Sequence, residues 1–165
     1  MSKSVKENEV ACPWSDLDPS GEGLIVHDFL TTRVSALMSA LRRQVTQPYA
    51  SRYGLSISEW RVLSLVAHAG TLPFGDLVVQ STSDKALVSR TIRLLEKRDL
   101  LEIVPESKNS KKKIACRITG KGKALHDEAI VIARRSQAEV ICSLDREERE
   151  ALFAIIAKLG KVLEA

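Results

Sequence analysis

Residues 83–104 read SDKALVSRTIRLLEKRDLLEIV, and this stretch decides the fold. Asp84 is a favoured helix-capping residue, and Val88, Ile92 and Leu95 then recur at the spacing of one buried helical face. The opposite face carries Lys85, Ala86, Ser89, Arg90, Arg93 and Lys97. The pattern predicts an amphipathic helix that buries one stripe and exposes a basic one.

Two further helices precede this basic helix. Ser56 and Glu59 have the spacing of a capping box, and Gly70 suits the end of the helix that they begin. The stretch PFGDLVVQ, residues 73–80, opens with a proline, which favours the first turn of a short helix. Turn residues 81–84 separate this short helix from the basic one. Two short helices joined by a tight turn form a helix-turn-helix.

A β-hairpin is predicted directly after the helix-turn-helix. LLEIV at 100–104 and IACRIT at 114–119 are β-like runs, and the polar stretch PESKNSKKK connects them. Four lysines lie in or beside this connection: Lys108, Lys111, Lys112 and Lys113. The fold class predicted is mainly α with a small β-hairpin, that is, a winged helix-turn-helix with additional helices before and after it.

The two ends of the chain add an arm and long helices. Residues 1–23 are polar and contain prolines and glycines, which predicts a flexible arm, with Trp14 as an anchor to a partner subunit. Apolar residues from Leu24 onwards recur at helical spacing, and Pro48 is expected to bend or end that helix. Two helices follow the hairpin, one from Gly120 and one from about residue 144.

Charge and motif content favour a nucleic-acid partner over catalysis. Residues 56–123 hold 13 Lys and Arg against 7 Asp and Glu, a net charge of +6, whereas the whole chain carries +4. No nucleophile elbow, zinc-protease motif, phosphate loop or ligand-spaced cysteine pair occurs, so we expect no enzyme, no cofactor and no metal. No apolar run reaches the roughly 20 residues of a membrane span and no signal peptide is evident, which predicts a cytoplasmic protein.

The basic helix and the hairpin supply the candidate DNA contacts. Arg90 and Arg93 can form bidentate pairs with guanine in the major groove. Ser83, Ser89 and Thr91 can donate to phosphates, Lys85 adds charge, and the lysines of the hairpin can lie against the backbone. The alternative is that these cations form a solvated face and a solubility-promoting loop.

The string 83–104 resembles the MarR family of transcriptional regulators, together with YGLSISEWRVLSLVAHAG before it and ITGKGKAL after it. The resemblance implies a homodimer in which each subunit presents a winged helix to half of a palindromic operator. It assigns 24–55 as a dimerisation helix, 56–120 as the winged helix-turn-helix DNA-binding domain and 121–165 as C-terminal dimerisation helices. Asp99 stands where this family usually has a helix-ending glycine, and Asn109-Ser110-Lys111 replace its usual Asp-x-Arg in the wing.

The resemblance also implies an effector, because many relatives release DNA when an aromatic carboxylate or its thioester binds. The residues near the expected cleft are His27, Arg33, Trp60, Ser64 and His68. Arg33 can pair with a carboxylate and Trp60 can stack on a ring, although Trp60 also suits the core. The regulator, in this interpretation a repressor, has two alternatives: a redox sensor that uses Cys12, or a winged helix that binds proteins.

Overall fold

The computed structural model describes residues 12–106 and 113–164. The helices are Leu30–Leu41 (α1), Gln47–Arg52 (α2), Ile57–Ala69 (α3), Phe74–Ser81 (α4), Lys85–Lys97 (α5), Gly120–Ile141 (α6) and Arg146–Glu164 (α7). The strands are Thr71–Pro73 (β1), Leu101–Pro105 (β2) and Ile114–Ile118 (β3). The chain divides into two compact units, Met1–Leu41 and Arg42–Ala165. The predicted fold class, mainly helical with a small antiparallel sheet, is confirmed.

The N-terminal unit consists of turns followed by α1. The indole N–H of Trp14 donates to the backbone carbonyl of Asp28 over 2.7 Å, so this side chain is anchored on its own chain, where the sequence suggested a partner. A 3-10 turn covers Val26–Asp28, and Phe29 then has extended backbone angles. Helix α1 therefore begins at Leu30, later than the predicted start at Leu24.

Pro48 lies at the start of a second helix. A π-helical segment covers Arg42–Thr46, and α2 follows with Pro48 in its first turn. A proline is tolerated there because the first N–H groups of a helix have no intrahelical acceptor. The regular α-helix is thus interrupted just before Pro48, as expected, although the interruption is the π-helical segment Arg42–Thr46 and helical structure resumes through Pro48.

The helix-turn-helix forms as the capping residues predict. The Ser56 hydroxyl accepts from the Glu59 amide at 3.2 Å, and the Glu59 carboxylate accepts from the Ser56 amide at 2.9 Å. Gly70 closes α3 with a φ of 72°. Asp84 caps α5 by accepting from the Leu87 amide at 2.8 Å. These interactions are local in sequence, which is why the limits of α3 and α5 were predictable.

The sheet contains one strand more than the predicted hairpin. Its order is β1-β3-β2, with both pairings antiparallel. Strand β1 directly precedes α4 and pairs Leu72 with Cys116 of the central strand. The hairpin is therefore joined by backbone hydrogen bonds to the segment that begins the helix-turn-helix.

The core lies where α3, α4, α5 and the sheet meet. The stripe of Val88, Ile92 and Leu95 is fully buried, as predicted. Helix α6 begins very close to β2, because a Cβ at Gly122 would lie 2.0 Å from the carbonyl oxygen of Leu100. Asp99 has a φ of 59°, the left-handed conformation expected of a residue in the place of a helix-ending glycine.

Candidate nucleic-acid interface and ligand cavity

Helix α5 exposes the basic face that the sequence predicts. Lys85, Arg90 and Arg93 are exposed and Ser89 is half-buried, while the apolar stripe on the other side packs into the core. The helix is anchored by contacts from α3 and α4. Its cationic side chains therefore project from a rigid support, as major-groove contacts require.

The turn before α5 holds its hydroxyls in internal hydrogen bonds. Ser83 donates to the Ser81 carbonyl at 3.1 Å, which still leaves its oxygen able to accept. Thr91 is buried at 3% exposure and donates to the Leu87 carbonyl at 2.8 Å. The expectation that Thr91 contacts a phosphate was therefore wrong.

Of the four predicted wing lysines, the structure describes Lys113. Lys108, Lys111 and Lys112 lie outside the described residues. Lys113 is exposed immediately before β3, where its carbonyl accepts from the Glu106 amide at 3.0 Å. The two strands are additionally linked by an ion pair between Arg117 and Glu102 at 3.2 Å.

A cluster of three rings lies at the junction of α2, α3 and α6. Trp60 is buried at 7% exposure, with Tyr49 edge-on at 5.4 Å and His126 stacked at 5.7 Å between ring centroids. His126 also lies 3.5 Å from Asp127. The hydrogen bond from Lys123 lowers the pKa of Asp127, which keeps this carboxylate ionised beside the imidazole.

Two adjoining hollows open beside these rings, and we call them together the Trp60 cavity. Their volumes are about 280 and 390 Å³, and both are lined by Tyr49, Trp60, Ser64 and Gln137. Arg61 lines the first hollow and Arg134 the second. The cavity thus combines aromatic walls with amide, hydroxyl and guanidinium groups, as small-molecule sites do.

Ser64 is the most informative residue of this cavity. Its hydroxyl oxygen is buried and finds no hydrogen-bond partner among the residues that the structure describes. A helical serine commonly donates to the carbonyl four residues earlier, and an unsatisfied buried hydroxyl costs about 1–3 kcal/mol. A ligand with a hydrogen-bonding group in the cavity would recover that free energy.

The other predicted ligand residues have different positions. His68 is exposed near the end of α3 and is not among the residues that line the Trp60 cavity. His27 and Arg33 belong to the N-terminal unit, where Arg33 pairs with Asp28 at 2.9 Å. Sequence reasoning missed Tyr49, Arg61, Arg134 and Gln137, since these come from helices distant in sequence or carry no motif.

The three cysteines differ in environment. Cys12 and Cys142 are exposed, whereas Cys116 is buried in the central strand. Burial, with a smaller contribution from Glu96, raises the pKa of the Cys116 thiol to about 11. Within the described residues no group of three or more His, Cys, Asp and Glu side chains is placed to hold a metal.

The comparisons with known proteins agree with this geometry. A family model described as the MarR family matches residues 53–111, which include α3, β1, α4, α5 and β2. The HTH-type transcriptional regulator FarR from Neisseria gonorrhoeae is 28% identical over 132 residues, which cover 79% of this chain and 85% of FarR. By these two comparisons the chain is similar to the MarR family of transcriptional regulators.

Solved structures share the MarR-family fold. NadR in complex with 4-hydroxyphenylacetate is 23% identical, with a TM-score of 0.70 over 84% of this chain and 97% of NadR. A MarR mutant from E. coli complexed with operator DNA is 17% identical, with a TM-score of 0.68 over 77% of this chain and 91% of that one. In the described part of this chain, none of the helices has the length and apolar character to cross a bilayer.

Proposed function

We propose that this chain is a cytoplasmic, non-enzymatic MarR-family repressor that binds a palindromic operator as a homodimer and is released by a small aromatic acid or its thioester. The proposal of DNA binding rests on α5, which exposes basic side chains on one face and buries an apolar stripe on the opposite face. Lys85, Ser89, Arg90 and Arg93 share this face, and Ser83 precedes it in the turn.

DNA binding is supported by the placement of that face within the fold. Helix α5 is the second helix of the helix-turn-helix, which is the helix that enters the major groove in proteins of this architecture. The E. coli MarR structure, which has the same fold, was solved with operator DNA. The lysines at 108 and 111–113 would add sequence-independent attraction to the phosphates.

A homodimer is supported by apolar surface on the long helices. On α7 the exposed apolar side chains are Leu152, Phe153, Ile155, Ile156, Val162 and Leu163. Helix α1 likewise exposes Leu30, Val34, Leu37 and Met38. Exposed apolar side chains in such numbers mark interaction sites, and a second copy of the chain satisfies the two-fold symmetry of a palindrome.

An aromatic acid is supported by the chemistry of the Trp60 cavity. Trp60 and Tyr49 can contact a ring, the unpartnered Ser64 hydroxyl can bind a polar substituent, and Arg61 or Arg134 can pair with a carboxylate. NadR, whose fold is similar, binds 4-hydroxyphenylacetate. The contributions of His27, Arg33 and His68 stay predictions.

The DNA-binding part is tested with duplexes selected from a random-sequence library. We expect the full chain to enrich a palindrome, and its affinity for that duplex to fall steeply and log-linearly with salt. A matched chain with Lys111, Lys112 and Lys113 changed to Ala should show a shallower salt slope. If the wild-type chain selects no duplex at low ionic strength, the proposal is wrong and the protein-binding alternative gains support.

The effector is tested by a thermal-shift screen of aromatic acids, their thioesters and oxidants. We expect an aromatic acid to raise the melting temperature of the wild-type chain and to weaken operator binding. The Ser64→Ala variant should respond at a higher concentration of the same acid, because the hydroxyl contact is lost. A response to oxidants alone would instead support thiol sensing.

A further inference from the structure

Arg61 stands between the Trp60 cavity and the helix-turn-helix. Its side chain lines the Trp60 cavity. It also lines a separate hollow of about 270 Å³, together with Arg42, Ser58 and Ser83. The guanidinium donates from Nη1 to the Ser81 carbonyl at 2.9 Å and to the Thr82 hydroxyl oxygen at 3.0 Å. One side chain therefore contacts both the candidate effector site and the turn before α5.

The turn that Arg61 contacts is held by hydrogen bonds that converge on the Ser81 carbonyl. Thr82 has left-handed backbone angles, with a φ of 51°, which is unfavourable for a β-branched residue. The hydroxyls of Thr82 and Ser83 both donate to the Ser81 carbonyl, the same oxygen that accepts from Arg61. Arg61 is the one cation among these donors, so it contributes the strongest of these hydrogen bonds.

We propose that the effector's carboxylate competes with the α4–α5 turn for the guanidinium of Arg61. This inference rests on the proposed function, since it requires an acidic ligand in the Trp60 cavity. A carboxylate forms a charge-assisted, bidentate pair with arginine, whereas the turn offers a neutral carbonyl and a hydroxyl. A bound acid thus withdraws Arg61 from the turn, frees the strained Thr82 and loosens the start of α5.

The proposal has a thermodynamic consequence that a merely structural arginine would lack. Coupling between two sites is reciprocal, so an acid that weakens operator binding must itself bind more weakly when the operator is bound. A substitution outside the cavity that removes a hydrogen bond between the turn and Arg61 must therefore increase the affinity for the acid. Thr82 is such a position, because it contacts Arg61 and does not line the Trp60 cavity.

The first experiment requires no effector. In Arg61→Gln, operator affinity should fall by about 5- to 100-fold, within the usual range of coupling between sites. Hydrogen exchange of the 79–88 segment should accelerate while exchange in α3 and α6 stays unchanged. Arg135→Gln, at an exposed position on α6 that lines none of the three hollows, is the matched control. Wild-type affinity and exchange in Arg61→Gln would overturn the proposal.

The second experiment measures binding of 4-hydroxyphenylacetate by calorimetry. Thr82→Ala removes one acceptor of Arg61, so we expect this acid to bind roughly 2- to 10-fold more tightly, as the loss of one hydrogen bond predicts, and the operator more weakly. Thr82→Ser keeps the hydroxyl and should restore both wild-type values. Equal affinity of the acid for wild type and Thr82→Ala would contradict competition.

The two experiments separate this proposal from the proposed function. If wild type does not bind 4-hydroxyphenylacetate, the carboxylate competition is overturned for this class of acid. The first experiment still decides whether Arg61 stabilises the turn. If wild type binds the acid and loses operator affinity while Arg61→Gln responds to the same extent, the aromatic-acid effector stands and the role of Arg61 is wrong.

Discussion

Arg90 is the candidate at which a contact to a base can be distinguished from simple charge attraction to DNA. Its side chain is exposed opposite the buried stripe of Val88, Ile92 and Leu95. Arg90→Ala should weaken operator binding by about 1–3 kcal/mol, the range for one bidentate base contact, with an unchanged melting temperature. Electrophoretic mobility shifts and thermal unfolding measure the two effects.

Arg90→Lys is the matched control for that prediction. Lysine keeps the charge and loses the planar pair of donors, so it should retain binding to non-specific duplex and lose discrimination between operator and non-operator DNA. Wild-type discrimination in the Lys variant would show that Arg90 contacts only phosphate.

Burial of Cys116 predicts both its reactivity and a pH dependence of stability. Its folded pKa of about 11 lies above the ordinary value of 9.0, so the folded protein keeps a proton that the unfolded chain loses. Its contribution is therefore complete below about pH 9 and is lost as the pH rises through about 11. Each pKa unit corresponds to about 1.4 kcal/mol.

Denaturant unfolding at pH 8 and pH 10.5 measures this contribution. The wild type should lose more unfolding free energy between the two pH values than Cys116→Ala does. At pH 8 a thiol reagent should modify the exposed Cys12 and Cys142 and leave Cys116 unmodified in the folded protein. Rapid modification of Cys116 would contradict its burial.

Among the elements, those with capping residues next to them in sequence were predictable. Ser56, Glu59, Gly70 and Asp84 each act within a few residues, so their spacing gave the limits of α3 and α5. Strand β1 has only three residues, too few for an alternating pattern, and its partner β3 begins about 40 residues later. Pairings of that kind depend on tertiary packing and leave no local signal.

The first turn of α6 offers a matched pair of glycines. Gly122→Ala should lower the free energy of unfolding by roughly 3 kcal/mol, because its new Cβ would lie 2.0 Å from a backbone oxygen that cannot rotate away. Gly120→Ala should be neutral or stabilising by up to about 1 kcal/mol, since no heavy atom lies within 4 Å of its Cβ. Equal stabilities of the two variants in urea unfolding would contradict the close approach of α6 to β2.

For the whole molecule, the exposed apolar residues of α7 predict how assembly can be disrupted. Ile156 is 61% exposed, and Ile156→Asp would place a charge within the proposed subunit contact. We expect light scattering to show a monomer and operator affinity to fall by at least tenfold. Lys161→Asp, whose neighbours one turn away on α7 are Ala157, Lys158 and Glu164, should remain a dimer. A dimeric Ile156→Asp would remove α7 from the proposed interface.

The candidate functional residues were predictable from the sequence only where they lie on a single helix. The basic face of α5 follows from one helix, so its residues could be named from spacing alone. The Trp60 cavity joins Tyr49, Trp60 and Gln137 from three helices, and Arg61 contacts a turn about 20 residues away. Only Trp60 and Ser64, which share one helical face, were accessible to sequence reasoning.

Strand β1 has a consequence for the DNA sequences that the protein can accept. Because β1 pairs with β3 and leads directly into α4, the hairpin and the helix-turn-helix have a fixed separation. If α5 and the hairpin bind DNA as proposed, the bases that α5 contacts and the groove that the hairpin enters must be a constant number of base pairs apart. Inserting one base pair, roughly 3.4 Å along the duplex, between those two regions would misalign one contact whenever the other forms.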